Sequence, residues 1–180
     1  PSETISEAID LMKEKNVGGL PVINDENSVK AIITERDIAN LFANRLSGVN
    51  VAQLMSENVV TALPKTTIFE AEKTMATEGF RRLPIVSDGK VMGIVTAMDI
   101  IRFFGSGKVF KYLQSGTIIP VLNTVTLEIA TKEVATIEPN ADVGQAAKIM
   151  QEKDIGAVPV VKNEKLVGII TERDFFKIIE

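Results

Sequence analysis

Several residue types are missing or nearly missing from this chain of 180 residues, and each gap removes a class of chemistry. There is no cysteine, which excludes disulfides, a thiolate nucleophile and a Cys-ligated metal. There is no histidine, so the commonest general base and the commonest metal ligand are gone. Tryptophan is absent and Tyr112 is the only tyrosine. A hydrolase or a metalloenzyme is therefore not expected, and no nucleophile–base pair argues for an enzyme of another kind. No apolar run approaches the roughly 20 residues of a membrane span, so no membrane partner is expected. The net charge of −4 speaks against nucleic acid as a partner, because phosphate neutralisation needs a basic face. What remains, 45% hydrophobic and 24% charged residues, suffices for the core of a soluble globular protein.

What is present is a repeat. A proline, a methionine and a second proline recur at fixed spacing as Pro1–Met12–Pro21, Pro64–Met75–Pro84 and Pro139–Met150–Pro159. Each set is followed by Thr-x-x-Asp: Thr34 and Asp37, Thr96 and Asp99, Thr171 and Asp174. Matched internal distances in three places indicate a tandem array of one small unit.

The third copy shows the unit most completely. Thr131–Ile137 is rich in β-branched residues and reads as a short strand. Asp142 is placed to cap the helix that follows, in which Val143, Ala146, Ala147 and Met150 fall at helical spacing. Val158–Val161 and Leu166–Thr171 read as an antiparallel hairpin, with a closing helix through Phe175, Phe176 and Ile179. The second copy repeats this order: a strand over Glu57–Ala62, a helix over Thr67–Ala76 and a hairpin turning at Asp88–Gly89. A closing helix over Asp99–Phe104 completes it. The first copy lacks the leading strand and carries Ala31 where the others have Gly93 and Gly168. The unit is thus β-α-β-β-α, an α+β fold. Met12, Met75 and Met150 are expected to pack in the core.

The expected ranges are 1–46 for repeat one, 51–104 for repeat two, 105–126 for a linker and 127–180 for repeat three. Gly105, Gly107 and Gly116 mark the linker, which carries a short helical piece over Lys108–Leu113. Pro1 and Pro64 are 63 residues apart, Pro64 and Pro139 75 apart. That difference predicts that copies one and two pair closely and that copy three begins a new pair. A unit of about 50 residues is small for a core of its own. Pairing sheet to sheet covers the open face, which leaves copy three in need of a fourth repeat or another chain.

The pattern strand–helix–Gly-x-Pro-Val-Val–turn–Gly-Ile-Ile-Thr-x-x-Asp–helix resembles the CBS (cystathionine β-synthase) domain, over nearly the whole chain apart from the linker. The arrangement is similar to the γ subunit of AMP-activated protein kinase and to its archaeal relatives. The resemblance implies domains paired into Bateman modules with an adenosine nucleotide (AMP, ADP or ATP) in the clefts. It also implies no obligatory cofactor, a cytoplasmic location, homo-oligomers or a fourth repeat, and a regulated enzyme or transporter as partner.

Specific residues carry that expectation, each with a plainer alternative. Thr34, Thr96 and Thr171 with Asp37, Asp99 and Asp174 put a hydroxyl and a carboxylate at a strand-to-helix junction. A carboxylate can accept from both hydroxyls of a ribose, the role the resemblance gives this Asp; the alternative is a helix cap. Arg81 and Arg82 suit phosphate oxygens, or form a solvated surface pair. Arg36 and Arg173 either reach a phosphate or form salt bridges with Glu35, Glu172 or a partner chain. Thr61 and Thr136, with Pro84 and Pro159, are placed on the adenine side by the resemblance; as residues they also suit a strand and its buried neighbour.

Three functions follow from different classes. One is a sensor of AMP, ADP or ATP. A second senses an adenosyl ligand of the S-adenosylmethionine type. The third is a ligand-free assembly scaffold in which the Thr-x-x-Asp motifs serve only as caps.

Overall fold

A computed structural model describes residues 2–43 and 47–179. Pro1, the first anchor of the repeat, and residues 44–46, where repeat one was expected to end, lie outside the described residues.

Copy one comprises α1 (Ile5–Lys15), β1 (Gly19–Ile23), β2 (Val29–Thr34) and α2 (Glu35–Asn40). An arm carrying α3 (Val51–Leu54) leads to copy two: α4 (Ile68–Glu78), β3 (Arg82–Ser87), β4 (Lys90–Thr96) and α5 (Ala97–Phe104). The linker holds α6 (Gly107–Gln114), where a helical piece was expected, and α7 (Ile119–Leu122), which was not foreseen. A 3-10 turn at Thr126–Glu128 precedes copy three: α8 (Val143–Lys153), β5 (Ala157–Lys162) and β6 (Lys165–Thr171). A 3-10 turn at Glu172–Phe175 and α9 (Phe176–Ile179) close it. Each copy contributes one two-stranded sheet, β1–β2, β3–β4 and β5–β6.

Local chemistry fixes these boundaries. Thr4, Thr67 and Asp142 cap α1, α4 and α8. Asn16, Gly79 and Asp154 end the same helices in left-handed conformation. The turn at Asp88–Gly89 has positive φ at both residues, as a two-residue hairpin turn requires. The helices bury their methionines: Met12, Met75 and Met150 are all at or below 5% exposure.

The expected leading strands of copies two and three shrink to isolated bridges. Ala62 pairs in parallel with Ile85, and Ile137 with Val160. The residues just ahead of these bridges do something else. In copy three, Ser56 and Ile169 exchange two backbone hydrogen bonds of 2.9 and 3.0 Å, so the arm before copy two lies on β6. In copy two, Thr131 and Ile94 do the same at 3.0 and 2.9 Å, so the arm before copy three lies on β4. Gly168 and Gly93 permit this approach. A Cβ on Gly168 would stand 2.6 Å from the Met55 sulfur, and one on Gly93 would stand 3.1 Å from the Thr131 carbonyl oxygen.

This overturns the expected pairing of copies one and two. The chain forms two compact units. One contains Pro1–Glu57, Thr136–Val160 and Gly168–Glu180; the other contains Asn58–Ala135 and Val161–Val167. Copy one therefore shares a unit with the body of copy three. Its α2 lies against the 3-10 turn of copy three, and Phe176 joins the core of Ile9, Met12 and Ile38. In the second unit, Ala62, Ile68, Ala71, Met75, Leu83, Ile85, Val95 and Ile100 form the core. Leu127, Ile129 and Ala130 of copy three's arm cover part of it. The residues between copies two and three lead into this arm and pack on copy two, where the Thr124 carbonyl accepts from the Ile68 N–H at 2.8 Å. The uncovered sheet belongs to copy one, not copy three: Val29 and Ile32 are 67% and 66% exposed, and Ala31 is exposed too.

Candidate functional site

In copy two the expected ribose and phosphate residues meet at one end of the β3–β4 hairpin. Register places Arg82 directly opposite Thr96. The Arg81 carbonyl accepts from the Ala97 backbone N–H at 2.9 Å, which ties the arginine pair to the first turn of α5. Asp99 lies in that same first turn. Its Oδ2 accepts from the Thr96 backbone N–H at 2.8 Å and from the Thr96 hydroxyl at 2.7 Å. Thr96 Oγ1 in return accepts from the Asp99 backbone N–H at 3.2 Å. One carboxylate oxygen of Asp99 thus closes the helix start, and the other has no hydrogen-bond donor among the described residues. Asp99 is half-buried, Arg81 exposed and Arg82 half-buried.

The same junction recurs in copy one with other neighbours. Asp37 Oδ2 accepts from the Thr34 backbone N–H and hydroxyl at 2.8 and 2.6 Å, and Asp37 is exposed. Gly18 and Gly19 replace the arginines, and Gly19 stands opposite Thr34. In copy three, Asp174 Oδ2 accepts from Thr171 at 2.8 Å twice, and Asp174 is only 8% exposed. Its Oδ1 accepts from Lys177 Nζ at 2.8 Å. Gly156 and Ala157 stand where copy two has arginines.

Arg36 and Arg173 take the salt-bridge alternative. Arg36 Nε donates to Glu172 at 2.7 Å, and its guanidinium also reaches Asp154. Arg173 stands 3.5 Å from Glu35. The two Thr-Glu-Arg-Asp segments of copies one and three thus cross-pair reciprocally. Hydrogen bonding to the Glu172 carboxylate, joined by its charge and that of Asp154, outweighs burial and raises the Arg36 pKa above its ordinary value.

The residues expected on the adenine side lie where the leading segments touch the hairpins. Thr61 is exposed and precedes Ala62, whose N–H donates to the buried Pro84 carbonyl at 2.9 Å. Thr136 is exposed and precedes Ile137, whose N–H donates to the buried Pro159 carbonyl at 3.1 Å. A cleft of about 430 Å3 is lined by Thr61, Ala62, Leu63, Lys65, Thr66, Glu70, Thr74 and Leu83. Of the expected site residues it includes Thr61 but neither the arginines nor Asp99. Lys65 gives it a cation that the repeat pattern did not single out. Lys177 was also missed, although its spacing of three residues from Asp174 is a helical pairing signal. Among the described residues, no cluster of His, Cys, Asp or Glu is arranged to hold a metal ion. No helix among them is long and apolar enough to cross a membrane.

A family model described as "CBS domain" matches residues 1–44, 51–106 and 125–180. Protein MJ1225 of Methanocaldococcus jannaschii is 38% identical over 96% of this chain and 62% of its own length. Its crystal structure, proposed as that of an archaeal homologue of γ-AMPK, superposes with a TM-score of 0.90 over 99% of this chain and 65% of that one, at 36% identity. A 33.4 kDa protein of a ribosomal RNA operon in Thermofilum pendens is 35% identical over 94% of this chain and 57% of its own length. The chain thus spans about three fifths of these two curated relatives. The CBS-domain pair of protein MJ0100, solved with 5-methylthioadenosine and S-adenosyl-L-methionine, has a TM-score of 0.56 and 30% identity. That likeness covers 73% of this chain and 95% of that one.

Proposed function

Because the chain belongs to the CBS-domain family, we propose that it is a regulatory module whose copy-two site binds an adenosine nucleotide, AMP, ADP or ATP. The observation that carries this reading is the convergence of Arg81, Arg82, Thr96 and Asp99 at one hairpin end. The free oxygen of Asp99 takes ribose hydroxyls, and the guanidinium of Arg81 takes phosphate. Hydrogen bonds to charged groups contribute roughly 1.5–3 kcal/mol each, enough for selective binding. Thr61 and Pro84 form the adenine side. Arg36 and Arg173 hold copies one and three together and serve phosphate only if a ligand displaces their acidic partners. The exposed edge of copy one is the face that a fourth repeat or a second chain covers. The regulated partner is an enzyme or a transporter, and the module works in the cytoplasm.

Calorimetric titration with AMP, ADP, ATP and S-adenosylmethionine tests the reading. The informative variant is Asp99→Glu. Glu7 and Glu70 already close identical caps in this chain, so Glu at 99 preserves the cap. Its longer side chain moves the carboxylate off the ribose. Stability should stay within about 0.5 kcal/mol, as for other mild substitutions. Nucleotide affinity should fall about tenfold or more, equivalent to about 1.4 kcal/mol. Unchanged affinity would remove Asp99 from the ribose role, and no binding by the unaltered protein would remove the nucleotide reading.

A second reading rests on the MJ0100 complex: a neutral or cationic adenosyl ligand held by the same hook. Arg81 favours an anionic tail over that alternative. Tighter binding of S-adenosylmethionine than of any nucleotide would reverse this order.

A further inference from the structure

The three hooks are not equally free. Asp37 is exposed and Asp99 half-buried, and neither has an ion pair among the described residues. Asp174 is 8% exposed, and its remaining oxygen is held by Lys177 at 2.8 Å. The same ammonium donates at 2.7 Å to the carbonyl of Leu54. Leu54 is the last residue of α3, so its carbonyl is one of the acceptors a helix end leaves open. Two of the three donors of the ammonium are thereby used, one on the hook and one on the arm that lies against β6.

The corresponding positions elsewhere do not do this. Asn40 follows Asp37 and Arg102 follows Asp99 at the same distance in sequence. Arg102 is exposed and makes no ion pair with Asp99. A ribose approaching Asp174 would have to displace Lys177, leaving an ammonium and the Leu54 carbonyl without their partners. In copies one and two it would displace no side chain from the free oxygen.

We propose that Lys177 closes the third hook and converts it from a ribose site into a latch that fastens the arm of copy two to copy three. Lys177 thus determines how many ribosyl ligands one chain holds. The inference rests on the ribose role of the Thr-x-x-Asp aspartate proposed above.

The test uses AMP as probe and Lys177→Met, which keeps most of the apolar stem but removes the charge. Calorimetry of the variant should show one more AMP bound per chain than the unaltered protein. Adding Asp174→Ala to the variant should return the count to its starting value. An unchanged count in Lys177→Met overturns the proposal, whether or not the unaltered protein binds AMP. Absence of AMP from the unaltered protein, with one site gained in the variant, would limit the copy-two reading but support the latch. A readout on the unaltered protein guards against a variant that fails to fold. In an amide NMR titration with AMP, the Thr171 resonance should stay in place while ligand saturates the other copies. A saturable shift of Thr171 in the unaltered protein overturns the proposal.

Discussion

Among the described residues, a threonine three residues ahead of an acid closes five helix starts: Thr4–Glu7, Thr34–Asp37, Thr67–Glu70, Thr96–Asp99 and Thr171–Asp174. Two of the five stand on helices with no expected ribose role, so the spacing is first of all a capping box. The ribose reading needs what the spacing omits, namely a free second oxygen and a cation nearby. Only the structure reveals that Lys177 takes that oxygen in copy three, because a lysine three residues on reads equally well as a solvated side chain. Asp142 is the most heavily used cap. It accepts from the backbone N–H groups of Gly144 at 2.7 Å, Gly48 at 2.9 Å and Ser47 at 3.1 Å. Desolvation pushes its pKa up, but those N–H groups outweigh it and the net shift is downward. A carboxyl with a lowered folded-state pKa stabilises fully above its unfolded value and loses that contribution as pH falls through the folded one. Asp142→Ala should therefore cost about 1 kcal/mol near neutrality, in line with other caps. The difference from the unaltered protein should vanish on acidification below the usual carboxyl range. Urea titrations across that range measure it, and a pH-independent difference would remove the charge from the account.

At the scale of elements, helices and hairpins were legible because their signals are local. Amphipathic spacing, caps and turn residues placed α4 and α8 and the hairpins of copies two and three close to where they lie. The leading strands were not, since β-branched composition cannot distinguish a strand from an arm that touches its neighbours at single bridges. Glycine held the missing information. Gly93 and Gly168 sit where an arm crosses β4 and β6, and the substitution of Ala31 in copy one coincides with an uncovered edge. Gly168→Ala would drive a methyl group against the Met55 sulfur and to 3.1 Å from the Ser56 carbonyl oxygen. Overpacking of this kind costs about 1–3 kcal/mol. Trimming Met55 to Ala in the same chain should return part of that loss, because contacting residues couple. Thermal or urea unfolding of the four combinations gives the coupling. A result of zero would mean that the arm does not rest on β6 as described.

For the molecule as a whole, equal repeats do not assemble equally. The spacing between repeats suggested a close pair of copies one and two, yet spacing measures chain length and not destination. The start of copy three returns to copy two's sheet as an arm, while copy one finds its core with the end of copy three. The first unit therefore depends on residues from both ends of the repeat array. Phe176 is 1% exposed and packs with Ile9, Met12 and Ile38, which precede it by well over a hundred residues. The cross-pairs of Arg36 with Glu172 and Arg173 with Glu35 border that contact, but partly exposed pairs contribute only about 0–1 kcal/mol each. Apolar burial must dominate. Phe176→Ala should cost about 3–5 kcal/mol, the usual loss for a buried phenylalanine. Its reach should follow the unit rather than the repeat: hydrogen exchange should accelerate in α1 and α2 of copy one as well as in α9. Protection in α4 and β3 should fall less, because their core is built from other residues. Exchange confined to copy three would mean that copy one keeps its core without Phe176, and that the shared unit is only a contact between separately stable repeats.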